Sequence, residues 1–247
     1  MRLHEAIGQA PRLHAIDKFT RMWQQFSDLS EIFDCGWEDL SSWRAVGGEG
    51  DPITVHCVDI RDVEAMFERQ PTGDVLEVAV MNRLIDPVLE VVISLDSRRG
   101  RTSGLSIRPA EPGSQGEYEI ATGLFSPTQM VQILKIMTEI WDPTSCKWSD
   151  SHFAARQKPR LKFGPNPWKS RVEWKTSIGW CTYLDTRIIP VPSSAEWPED
   201  VTVERFMNGK IIRIGDTPDC VTLDRLTAVR KALGWPHVVP GEEGRRL

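Results

Sequence analysis

The chain is short of the features that usually announce chemistry. Its five cysteines, Cys35, Cys57, Cys146, Cys181 and Cys220, are scattered and odd in number. None stands in a CxxC pair, which argues against a zinc site of the usual spacing and points to a reducing compartment. There is no GxxxxGK[ST] phosphate loop and no GxSxG nucleophile elbow. The five histidines, His4, His14, His56, His152 and His237, form no HExxH or other close ligand pair. No cofactor or metal is therefore expected. Positive charge is not in excess: 30 Lys and Arg face 35 Asp and Glu, a net charge of -5. A direct nucleic-acid binder would be basic, so that role is disfavoured. No apolar run is long enough to span a bilayer, and Glu5, Gly8 and Gln9 interrupt the opening stretch. Neither a signal peptide nor a membrane span is expected, which places the chain in the cytoplasm. Tyrosine is scarce, two residues against ten tryptophans. Indoles bury much area and also anchor interfaces, so some of the ten could face a partner.

What is present is a pattern that alternates between helical and strand periods. The stretch Ser177–Asp185, SIGWCTYLD, carries no charge until its last residue. Ile178, Trp180, Thr182 and Leu184 would share one face of a strand, and Gly179, Cys181 and Tyr183 the other. That reads as an inner strand covered on both sides, with Gly179 marking a close approach by another backbone or a large side chain. Apolar residues at helical spacing mark helices over 16–33, 126–141 and 222–233. Asp59 is placed to cap a further helix that buries Ile60, Val63, Met66 and Phe67. Ser126-Pro127-Thr128-Gln129 is the clearest local signal, a capping box with proline at the first helical position. Strands are expected at Pro87–Leu95, at Gly104–Arg108, at Glu117–Ala121 and in a hairpin, 201–206 with 210–214, around Asn208-Gly209. Val75–Met81 fits strand or helix. The stretch 36–52 reads as a loop. The expected fold is a single mixed α/β (α+β) domain over 1–247. An antiparallel or mixed sheet would join Pro87–Leu95, Ile178–Leu184 and the hairpin, with helices packed on it. The ends, 1–11 and 241–247, read as loose tails.

Few residues suggest catalysis. His56 and Cys57 are neighbours, and neighbours on a strand point to opposite faces, so they make a poor dyad. His152 beside Asp150 could serve acid–base chemistry, although a surface histidine is the commoner case. A small enzyme built from distant acids and His152 is the alternative reading. The run Lys158–Lys175, rich in proline, tryptophan and lysine, fits a solvated connector better than an anion strap in so acidic a chain. Trp141, Trp180 and Tyr183 are expected in the core.

The order of parts resembles the bacterial polymorphic-toxin immunity proteins of the immunity protein fifty-two family. Three pieces carry the resemblance: HAIDKFTRMWQQFSDLSEIFDCGW, the capped helix running into IWDPTSCKWSDSHF, and SIGWCTYLD followed by a hairpin and a terminal helix. Cys181 stands where the family pattern has methionine or another apolar residue. The resemblance implies a cytoplasmic antidote without enzymatic activity. It would bind and neutralise a cognate protein toxin, often one delivered by a type VI secretion system. The associated toxins include nucleases of the restriction-endonuclease-like fold. Two stretches combine tryptophan with acids and would suit a basic, DNA-binding cleft: Trp37-Glu38-Asp39 and Glu196-Trp197-Pro198-Glu199-Asp200. For each, the rival reading is a tryptophan folded back on the core beneath solvated acids.

Overall fold

The computed structural model describes residues 9–34, 36–39, 53–69, 75–82, 88–96, 100–108, 123–149, 153, 157 and 177–235. The expected strand at Glu117–Ala121, the connector Lys158–Lys175, Trp43, His152 and the tail 241–247 lie outside them. The chain forms two compact units, Met1–Gln115 and Gly116–Leu247. Both are α+β, and both sheets are antiparallel.

The first unit opens with α1, Gln9–Leu29. The helix starts seven residues before the expected boundary at Ile16 and takes in Gln9, Ala10 and Pro11, the end of the expected loose tail 1–11. Pro11 hides that start, yet it lies in the first turn, where its missing N–H would have no partner in any case. Phe19, Met22, Trp23 and Phe26 are all fully buried. The chain leaves the helix at Ser30 (φ -160°) and makes one 3-10 turn, Glu31–Phe33. Trp23 Nε1 donates to the Phe33 carbonyl at 2.9 Å and ties that turn back to the helix. Then come β1 (Trp37–Asp39), β2 (Ile53–Val55), α2 (Ile60–Glu68), β3 (Val75–Asn82), β4 (Val88–Asp96) and β5 (Gly100–Arg108), in the sheet order β2-β1-β3-β4-β5. Asp59 caps α2 as expected, its carboxylate accepting from the Arg61 N–H at 2.9 Å; Val63, Met66 and Phe67 are buried as expected, but Ile60, at the first helical position, is exposed. Hydrogen bonds from Arg61 hold the Asp59 carboxyl down at about 2.

In the second unit, α3 (Pro127–Trp141) carries the complete capping box: the Gln129 N–H donates to Ser126 Oγ, and the Ser126 N–H to Gln129 Oε1. It ends at Asp142 in the left-handed region, φ 45°. The strands β6 (Ser145–Trp148), β7 (Cys181–Asp185), β8 (Val201–Phe206) and β9 (Gly209–Ile214) form a sheet ordered β6-β7-β9-β8, followed by α4, Leu223–Ala232. β7 is an inner strand with every residue buried. Trp180, just before it, and Tyr183 are fully buried, and Trp141 nearly so. Gly179 does mark a close approach: a Cβ there would run into the carbonyl of Trp148.

The strand expectations for the two sheets also need correction. Pro87–Leu95 and Ile178–Leu184 do not share a sheet, since β4 and β7 lie in different sheets. Period-two patterning locates strands but says nothing about which strands pair. The hairpin turn sits one residue earlier than expected, on Met207-Asn208, and Gly209 already pairs with Phe206. Met207, not a glycine, takes the positive φ, 47°. Gly209 is held for a different reason. A Cβ there would strike the Leu184 carbonyl and stand 2.7 Å from the Tyr183 ring.

Candidate functional site

The two stretches that combine tryptophan with acids end up in different surroundings. Trp37-Glu38-Asp39 is not a loop but β1, an interior strand between β2 and β3. Trp37 is fully buried, edge-on to Trp23 at 4.8 Å and parallel to Phe33 at 6.1 Å. Asp39 is fully buried as well, and its carboxylate accepts from Arg69 Nη2 at 3.0 Å and Nε at 3.3 Å. Glu38 points to the other face and is half-buried. A three-residue strand carries too little alternation to be seen in sequence, so this recognition candidate is internal packing.

The second stretch lies on a long connection, Thr186–Asp200, between β7 and β8, and it keeps its acids outside. Glu196 and Glu199 are exposed and Trp197 is half-buried between them. Both ends of the connection are fastened. At the first end the Asp185 carboxylate is nearly buried. It accepts from the Arg187 backbone N–H at 2.9 Å and from Arg187 Nη2 at 2.6 Å. The Asp185 carbonyl accepts from the N–H groups of Ile188 and Ile189. Those Arg187 bonds hold the Asp185 carboxyl below its ordinary range, and Asp185 in turn raises the Arg187 guanidinium. Arg187 also reaches Asp142 at the end of α3, at 3.4 Å. At the second end the Val201 N–H donates to Pro198 O at 2.9 Å, and the Gly215 N–H to Asp200 O at 2.8 Å. The Asp200 carboxylate pairs with Arg225 at 2.9 Å, so it is a structural partner and not a free surface charge. Of this stretch, Glu196 and Glu199 remain exposed and Trp197 half-exposed.

Three interactions in this unit had no visible signal. Gln157 grips the backbone of Ile178 twice: its Nε2 donates to Ile178 O at 2.6 Å, and the Ile178 N–H donates to Oε1 at 2.7 Å. Buried Arg230 reaches the same Oε1 at 3.4 Å. Lys147 Nζ donates to both the hydroxyl and the carbonyl of Ser177. A lysine on a serine has the outline of a nucleophile and its base. The neighbouring N–H groups that could hold an oxyanion are engaged, Ile178 by Gln157 and Gly179 by Thr182 Oγ1 at 2.9 Å. The pair therefore braces the entry to β7. Partners this far apart in sequence are set by the fold, and no local spacing marks them.

Three of the described thiols, Cys57, Cys146 and Cys181, are placed as packing groups, whereas hydrogen bonding with Thr217 holds the half-exposed Cys220 thiol below its ordinary range. Burial pushes Cys181 up to about 12 and Cys146 up to about 11. Cys57 is raised by burial and by Asp39 and Asp62, while His56 beside it is exposed. Among the described residues, no three His, Cys, Asp or Glu side chains gather as metal ligands would, and no helix is long and apolar enough to cross a membrane.

Comparison with protein-family models, with curated proteins and with solved structures returns no match. The functional reading rests on the order of sequence elements and on the placement of the side chains above.

Proposed function

We propose that this chain is a cytoplasmic immunity protein that neutralises a cognate protein toxin by stoichiometric binding. One observation carries the choice of surface: Glu196, Trp197 and Glu199 sit on a connection fastened at both ends, with the acids exposed and the indole half-buried. An indole held in place supplies apolar contact area with little rotamer entropy left to lose. Two exposed carboxylates beside it attract a basic surface over a Debye length of about 8 Å at physiological salt. A nuclease toxin of the restriction-endonuclease-like class presents such a surface where it grips phosphates, and covering it would block the substrate without any chemistry by the antidote. In this reading the toxin arrives by type VI secretion and is met in the cytoplasm.

Charge reversal tests the reading. Glu196→Lys with Glu199→Lys should slow association with the toxin by roughly tenfold or more at low salt and flatten its salt dependence. The melting temperature should stay unchanged, because neither residue is buried. Asp200 is left intact, since its loss would release Arg225. Association rates and survival of toxin-expressing cells that match the unmodified protein would remove this connection from the interface.

A further inference from the structure

Among the described residues β8 forms one edge of the second unit's sheet, and it carries an unresolved electrostatic conflict. β8 is the last strand in the order β6-β7-β9-β8, and Thr202, Glu204 and Arg205 on it are exposed. Arg205 stands directly opposite Lys210 of β9. A two-residue turn closes on a hydrogen-bonded pair, here Phe206 and Gly209, so alternation makes Arg205 and Lys210 a non-hydrogen-bonded pair. In such pairs the side chains lie closest, about 4.5–5.5 Å between Cβ atoms, and like charges destabilise the ladder. Among the described residues, none on that face of the sheet relieves them. The row across the sheet runs Ser145, Leu184, Lys210, Arg205, and the residues one step along are Lys147, Thr182, Ile212 and Val203. Glu204 projects from the other face, where Lys135 holds it at 2.8 Å. Among the described residues neither Arg205 nor Lys210 makes an ion pair.

The same alternation points the N–H and C=O groups of Val203 and Arg205 away from β9, toward the open edge. An edge strand with outward backbone groups is a template for another strand, and charge on it selects which strand can add. We propose that β8 accepts an extended acidic segment of a partner protein, added as a fifth strand, with a carboxylate opposite Arg205. That carboxylate would complete the row Ser145, Leu184, Lys210, Arg205 with the missing opposite charge. A second copy of this chain is a poorer occupant. Two-fold antiparallel pairing of β8 with itself sets odd residues against odd ones, because opposed residues share a face. Arg205 then meets Val201, Val203 or Arg205 of the other copy, and never Glu204. This proposal is independent of the toxin reading, which uses Glu196, Trp197 and Glu199.

The test uses the full chain and three synthetic ten-residue peptides in which valine alternates with glutamate, glutamine or lysine. The glutamate peptide should bind, and its Kd should weaken by about tenfold or more between 20 and 500 mM salt, while the lysine peptide should not bind. Arg205→Thr with Lys210→Thr should abolish binding while keeping residues that suit a strand. Val203→Pro should also abolish it by removing an outward N–H, a substitution that edge strands accept with the sheet intact. Circular dichroism and melting temperature of both variants check that intactness. Failure of the glutamate peptide to bind overturns the proposal. So does equal binding of the glutamine peptide, or undiminished binding by either folded variant. A concentration-dependent dimer abolished by Val203→Pro would assign the edge to a second copy and overturn it as well.

Discussion

Gly179→Ala adds one methyl group at the point where the chain enters β7. A Cβ at this position would lie 2.6 Å from the carbonyl carbon of Trp148 and 3.1 Å from Ser149 Cα, with the Trp148 carbonyl oxygen nearer still. All three atoms are backbone, so no side chain can swing aside. Either β6 must shift at Trp148, which pairs with Cys181, or the stretch 177–180 must move. That stretch is pinned. Gln157 holds Ile178 on both sides, Thr182 accepts from the Gly179 N–H, and the Ile214 N–H donates to Trp180 O at 2.9 Å. Overpacking of a rigid site costs about 1–3 kcal/mol, and the upper end applies when backbone must yield. Alanine also narrows the unfolded ensemble, which offsets about 0.4–1 kcal/mol. The expected net loss is about 2 kcal/mol. Urea unfolding followed by tryptophan fluorescence measures it. Hydrogen exchange of a peptide covering 178–185 reports whether the loss falls in the second unit. Gly123→Ala is the matched control: Gly123 is exposed and helical with nothing within 4 Å of its would-be Cβ, so it should be neutral or gain up to about 1 kcal/mol. If Gly179→Ala loses less than about 0.5 kcal/mol, the close approach of β6 is refuted.

Trp180→Ala should cost about 3–5 kcal/mol, as for other buried aromatic truncations, and lower the melting temperature; an unchanged melting temperature with lost partner binding would make Trp180 a recognition residue. Asp185 is ionised more readily in the fold than in the unfolded chain, because Arg187 bonds to its carboxylate. That contribution is complete above the ordinary aspartate range and fades as pH falls through the lowered folded value. Arg187→Gln should therefore destabilise at pH 7 and shrink the difference from the unmodified chain as pH drops below about 4, measured by circular dichroism across an acid titration. Asp39→Asn leaves Arg69 without its buried carboxylate and should cost about 2 kcal/mol, less than the 3–5 typical of a fully buried pair because Arg69 is 30% exposed and can take up water. Its readout is urea unfolding, and toxin association should be unaffected at temperatures where the variant is folded.

The parts legible in sequence were those decided within a few residues. Ser126 and Gln129 cap each other across three positions, Asp59 bonds two residues ahead, and both fell where expected. Uncharged character up to Asp185 makes the stretch around β7 readable as an inner strand, and the one glycine in it marks the close approach that the structure has there. What could not be read depended on partners chosen by the fold. β1 is a strand because β2 and β3 flank it, not because WED has strand character. Pro11 masked the first turn of α1, since proline marks a boundary without saying on which side the helix lies. Asn208-Gly209 reads as a turn because that dipeptide favours one. Packing of Gly209 against Leu184 won instead and left Met207 with the positive φ. Of the two candidate recognition stretches, sequence could not tell a tryptophan under its acids from one beside them. Burial separates Trp37 from Trp197, and burial follows from long-range contacts.

The two hydrogen bonds between Gln157 and Ile178 make one side chain answerable for both backbone groups at the entry to β7. A single typical hydrogen bond contributes about 1 kcal/mol, and here there are two, between residues 21 positions apart. Because the partner is one amide, a single substitution at Gln157 orphans a buried N–H and a buried C=O together, at about 1–3 kcal/mol each. The entry to β7 thus has a single point of failure far away in sequence.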